Sequence, residues 1–177
     1  MDFKELMKKD LHQYLTKMER VDEKLTECPD VEALWPSVEE AYLPDGVREF
    51  TDYPLVSLGW IMFVGMALAK YWDVDWEKYG KESGAKLYTD LRDKKGYDNL
   101  DDYILQDVLE LDKEEAEKVS DIVGECAARV LSAIQHSGIE AGTKEAVEAY
   151  RASLHTLYLM GMAMELNALG YHMQLLG

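Results

Sequence analysis

Cysteine is nearly missing: Cys28 and Cys126 are the only two in 177 residues. They form no CxxC pair, so neither a thiolate metal site nor a disulfide framework underlies folding. Thiols this sparse fit a reducing compartment, and a cytoplasmic location is expected. The opening stretch MDFKELMKKD mixes acids with bases and has no apolar h-region, so no secretory signal is expected there. Bases are also scarce, with 19 Lys and Arg against 35 Asp and Glu and a formal net charge of −16. A polyanion repels nucleic acid and anionic lipid, so neither is expected as a partner.

Catalytic and metal-binding spacings are missing as well. The four histidines (His12, His136, His155, His172) give no Glu-x-x-His, His-x-x-x-His or HExxH pattern. No Gly-rich phosphate loop and no Ser-His-Asp or Cys-His arrangement can be drawn. No catalytic residue, metal ligand or cofactor is therefore assigned. No segment alternates at period two over strand length, which argues against any sheet.

What remains is apolar (47%) and charged (31%) in proportions that support a packed core rather than disorder. The length suits one helical domain over 1–177. Met7, Leu11, Tyr14, Met18, Val21 and Leu25 recur every three or four residues and predict a first helix, ended by Cys28-Pro29. Asp30 and Ser37 could cap short pieces through Trp35 and over 38–43, with a turn at Pro44-Asp45-Gly46. Residues 53–69 carry no charge. That run is short of the roughly 20 residues a bilayer span needs and lacks a basic flank, so a buried core helix is expected.

Asp75 is read as the cap of a helix from Trp76 to about Lys95, weakened by Gly80 and Gly84. Asp98 or Asn99 then caps a helix to Leu111, with Tyr103, Ile104, Val108 and Leu111 inward. Asp112 with Glu115 resembles a capping box before a helix that reaches His136. Thr143 caps the last helix, whose stripe is Val147, Tyr150, Leu154, Leu157, Gly161, Met164 and Ala168. The fold class is all-α: an antiparallel helical bundle of five to seven helices.

Two helices share a pattern. Ser57-Leu58 before Gly65-Met66-Ala67 matches Ser153-Leu154 before Gly161-Met162-Ala163 at a constant offset of 96 residues. A glycine inside an apolar helical stripe is unfavourable unless a neighbouring backbone comes close, so a crossing at Gly65 and Gly161 is expected. Met62, Met66, Met160, Met162, Met164 and Met173 gather around these helices, as gap-filling core residues do.

The densest aromatic and acidic cluster is Tyr71-Trp72-Asp73-Val74-Asp75-Trp76. Asp73, Asp75 and Glu77 imitate calcium-loop ligands, but Lys78 and Gly84 stand where glycine and glutamate are required. Trp60, Tyr71, Trp72, Asp73, Asp75, Trp76 and His155 are the candidate pocket or interface residues. Residues 101–125 hold ten acids against Lys113 and Lys118. Asp107 with Glu110, and Glu114 with Glu117, have a Mg²⁺-binding spacing. They straddle the break at Asp112, so a solvated acidic face is the expectation.

The expected function is a non-enzymatic protein–protein interaction or adaptor module, self-associating or taking a basic protein partner. The acidic segment, the first-helix stripe and the apolar tail Tyr171–Leu176 motivate it. The alternative is a small-molecule or metal site, in the extreme a hydrolase, between the central helices.

Overall fold

The computed structural model describes residues 2–172. Among these it is all-helical, with eight α-helices and no strand: α1 (Phe3–Lys17), α2 (Pro29–Glu32), α3 (Trp35–Asp52), α4 (Pro54–Tyr79), α5 (Gly84–Lys95), α6 (Leu100–Tyr103), α7 (Lys113–Gln135) and α8 (Lys144–Ala168). The count exceeds five to seven because α2 and α6 are four-residue turns. Most of the tail Tyr171–Leu176, and Met173 with it, lies outside the described residues.

α1 is shorter than its stripe suggests. Asp2 caps it, accepting from the Glu5 amide at 2.9 Å. It closes with two bonds, Arg20 N–H to Leu15 O (2.9 Å) and Glu19 N–H to Thr16 O (3.0 Å). This is a Schellman ending with Glu19 at φ 60°, where glycine is usual. Leu15 therefore turns inward beside Met7 and Leu11, and Met18 is left exposed.

The expected turn at Pro44-Asp45-Gly46 does not form, since α3 runs through it. Pro36 sits in the first helical turn, where no amide donor is needed. Downstream, tertiary bonds hold the backbone helical. Asp45 is buried and accepts Tyr88 Oη at 2.6 Å and Arg92 Nη1 at 3.1 Å. Gly46 O accepts Ser57 Oγ at 2.7 Å. Ser37 caps no piece of its own, and its hydroxyl instead accepts the Ala85 amide at the start of α5, at 2.8 Å.

α4 continues past its apolar run to Tyr79, broken at Asp75 (φ −162°, ψ 77°). Asp75 caps only the last turn, through the Lys78 amide at 3.2 Å. The expected helix 76–95 is thus two pieces, and Ser83 caps the second through Lys86 N at 3.1 Å. Gly84 is required there: a Cβ would stand 2.6 Å from Leu34 O.

The core centres on α4 and α8. They run in the same direction, since Ser57 meets Tyr150, Gly65 meets Tyr158, and Trp72 meets Tyr171. The 64 residues separating α4 from α8 give the chain room to return before the second pass. α7 lies antiparallel to α4, with Gly59 against Val123 and Ala127 while Met66 faces Val119. α1 flanks α8, and α5 packs on α3. α4 is long and apolar enough to cross a membrane, but its residues from Leu58 to Ala69, all except the partly buried Trp60, are buried inside the bundle. Met62, Met66, Met160, Met162 and Met164 are all buried in this core.

At the crossing the two helices touch backbone to backbone. A Cβ on Gly65 would lie 2.2 Å from Tyr158 O, and one on Gly161 would lie 2.0 Å from Met62 O. The contact is reciprocal, because Met62 and Tyr158 are separated by the same 96 positions as the two glycines.

Asp112 caps α7, accepting the Glu115 amide at 2.8 Å. Glu115 does not complete a capping box, because its carboxylate reaches Arg20 at 2.5 Å. Asp112→Ala is expected to cost about 1 kcal/mol, measured by urea unfolding. An unchanged midpoint would mean the cap contributes nothing. Thr143 likewise caps α8 through the Ala146 amide at 3.2 Å.

Candidate functional site

The residues singled out from sequence are placed in separate parts of the bundle. Trp60 is pinned by its indole N–H to Tyr97 O at 2.7 Å and by an edge contact with Phe63. Trp72 lies about 18 Å further along the same helix. It donates to Asp30 Oδ2 at 3.1 Å and meets the Tyr171 ring edge-on, while Asp73 accepts Tyr171 Oη at 2.6 Å. Tyr71 stacks on Tyr79 with centroids 4.0 Å apart, and Trp76 packs over Gly80. These contacts tie down the kinked end of α4.

His155 faces α1 and α3 instead. It stacks on Trp35 at 5.1 Å, and its Nδ1 lies 3.0 Å from Lys4 Nζ. Burial, reinforced by Lys4, holds its pKa down to about 4. A neutral ring there accepts a hydrogen bond from the Lys4 ammonium.

The acidic stretch 101–125 builds a more defined surface. Tyr97–Asn99 forms a 3₁₀ turn that leads into α6, and α6 passes directly into a π turn over Ile104–Val108. The wider turn is closed by Leu109 N–H to Ile104 O at 2.8 Å. It brings adjacent Ile104 and Leu105 both inward, with Leu100 and Leu109, while Tyr103, Val108 and Leu111 are only partly buried. The expected inward set differs because a π turn shifts the helical phase. Glu110, at φ 53°, ends the turn before Asp112 starts α7.

Between this turn and α7 lies a groove of about 570 Å³. Leu105, Leu111 and Ala116 form its floor. Asp102, Glu117 and Asp121 stand on its rim, exposed, and have no ion-pair partner among the described residues. Lys113 is the one base in its lining. The neighbouring acids are engaged: Asp107 with Lys95 (3.1 Å), Glu114 with Lys118 (3.3 Å), Glu115 with Arg20 and Glu125 with Arg129 (2.9 Å). Three open carboxylates above an apolar floor suit a ligand with an aliphatic stem and a cationic head.

Among the described residues, no three His, Cys, Asp or Glu side chains gather as a metal-binding group. The Mg²⁺-like pairs are split by the break at Asp112 and by their own ion pairs. The charge run in the sequence marked this region. The π turn that shapes the groove has no sequence signal of comparable strength. No known protein family, curated protein or solved structure matches the chain.

Proposed function

We propose that this chain is a non-enzymatic interaction module that takes a basic protein segment in the groove between the π turn and α7. One observation carries the reading: three unpaired carboxylates, Asp102, Glu117 and Asp121, ring an apolar floor. Lysine and arginine stems would lie on Leu105, Leu111 and Ala116 while their heads meet the rim. π turns are frequent at functional sites, which supports the choice of groove. Nucleic acid and membrane stay outside the reading, because the net charge of −16 repels both. Free, buried Cys28 and Cys126 support a cytoplasmic setting.

The test uses a twelve-residue peptide alternating lysine and leucine and the full-length protein. Binding is expected to weaken about tenfold or more when Asp102, Glu117 and Asp121 are all changed to Lys, and to fall with added salt. Equal affinity in the wild type and the triple variant would remove the groove from consideration.

A second reading, self-association, is favoured by a separate surface. Val47 and Phe50 lie one turn apart on α3 and Tyr53 follows directly after its end, with Val47 55% and Tyr53 63% exposed. Phe50 touches Tyr150 of α8 at 4.9 Å, which sets this stripe beside Val147, itself 56% exposed. Sedimentation at micromolar concentration decides it, and a strict monomer would end this reading.

A further inference from the structure

The bundle holds another cavity, which shares Leu111 with the groove and is bordered by α4, α7, α8 and the segment after α1. Its volume is about 220 Å³. Its apolar walls are Met66 of α4, Leu109, Val119 of α7 and Met164 of α8, and its polar lining is Glu19, Arg20, Glu115, Glu165 and Asn167. Among these polar residues only Glu165 is buried. Glu165 is 7% exposed, and its side chain makes no hydrogen bond or ion pair among the described residues. Among the described residues no side-chain oxygen that is fully closed off lacks a partner, so the Glu165 carboxylate keeps contact with open space. A buried carboxylate without a partner is costly, and a site that tolerates one has a use for it.

The charges around Glu165 narrow the ligand class. Lys70 and Asp73 of α4 act on it from one side, with opposite effects. Glu19 and Arg20 line the cavity from the segment after α1, and Glu115 lines it from α7. Arg20 is already bound to Glu115 at 2.5 Å. No base stands within ion-pairing distance of Glu165 among the described residues. With Glu165 ionised, the lining holds three carboxylates and one guanidinium. That balance favours a cation. A metal ion would need more ligands than one carboxylate, whereas an ammonium needs one carboxylate and an apolar bed.

We propose that this cavity binds a small primary amine with an apolar body, its ammonium on Glu165 and its hydrocarbon against Met66, Val119 and Met164. At the roughly 30 Å³ that a water occupies in the liquid, the volume admits about seven heavy atoms. Both non-glycine residues at positive φ among those described, Glu19 and Glu110, border the cavity: Glu19 lines it, and Glu110 sits between the lining residues Leu109 and Leu111. Left alone, Glu165 is pushed up to about 7 by burial. An ammonium partner would hold it ionised, so binding near neutral pH releases a proton.

Calorimetry on the full-length protein with hexylammonium tests this, and 1-hexanol serves as the neutral comparison. The wild type is expected to bind hexylammonium saturably, to bind 1-hexanol at least about tenfold more weakly, and to release roughly half a proton at pH 7. Glu165→Gln is expected to lose at least about tenfold in hexylammonium affinity, and all of the proton release, with the 1-hexanol affinity unchanged. Val119→Phe, which fills the cavity without touching the carboxylate, should lose both ligands. Three results overturn the proposal: no saturable binding by the wild type, equal binding of amine and alcohol, or undiminished amine binding by Glu165→Gln.

Discussion

Gly161→Leu is expected to prevent folding, and Gly161→Ala to lower the melting temperature by about 10 °C. A Cβ at this position would stand 2.0 Å from Met62 O, against backbone that no rotamer change can move. Relief requires α4 and α8 to separate along the contact that holds the centre of the core. Dispersion contacts would then be lost on both helices, and the cost would exceed that of ordinary overpacking. Gly65 should behave alike, with Tyr158 O at 2.2 Å. Gly124 is the internal control. A Cβ there meets nothing within 4 Å, in the middle of α7. Gly124→Ala should stabilise by about 0.5–1 kcal/mol through helix propensity alone. Thermal melts of the three alanine variants decide the matter, and a wild-type melting temperature for Gly161→Ala or Gly65→Ala would sink the backbone-contact argument.

That crossing could be read from sequence because glycine in an apolar stripe has few inexpensive explanations. The caps at Asp112 and Thr143 were legible for a similar reason: each is a local bond between a side chain and an amide three residues on. Features decided by distant partners were not legible. Pro44-Asp45-Gly46 has strong turn chemistry, yet Tyr88, Arg92 and Ser57 hold it helical from other elements. The direction of α4 relative to α8 was hidden too, because helical periodicity records faces and not polarity. The bundle is antiparallel where α7 meets α4 and parallel at its centre.

The candidate sites follow the same division. The acidic run drew attention to residues 101–125, but only the π turn opens a groove there. The aromatic cluster around Trp72 is a structural corner, fastened by Asp30 and Tyr171. Glu165 carries a sequence signal of its own. It is the lone charged residue between His155 and His172, inside the apolar stretch Leu157–Leu166. An isolated acid in such a run is either at the surface or buried with a purpose. Periodicity could not separate these cases, because α8 is buried around most of its circumference.

Burial of Glu165 gives the second large effect, in the stabilising direction. Its carboxyl is pushed from 4.5 to about 7, first by desolvation, with Asp73 adding and Lys70 opposing. Between those values the folded state binds more protons than the unfolded one. Stability therefore falls as pH rises through that window, and the whole loss is present above it. The difference corresponds to about 3 kcal/mol. Glu165→Gln keeps the shape and removes the charge, so it should be more stable than wild type by about that amount at about pH 8. At about pH 3, below both values, both states hold the proton and the two proteins should differ little.

His155 acts in the opposite sense. Its pKa falls from 6.5 to about 4 on folding, so the unfolded state binds more protons and stability rises with pH over that range. In the wild type these slopes offset each other between about pH 4.5 and 6.5, and the Glu165 decline emerges only above. Glu165→Gln should uncover the His155 rise, and His155→Gln the Glu165 fall. Urea unfolding at several pH values measures both. If Glu165→Gln were no more stable than wild type at about pH 8, the carboxylate would have to be stabilised by a partner it does not have among the described residues.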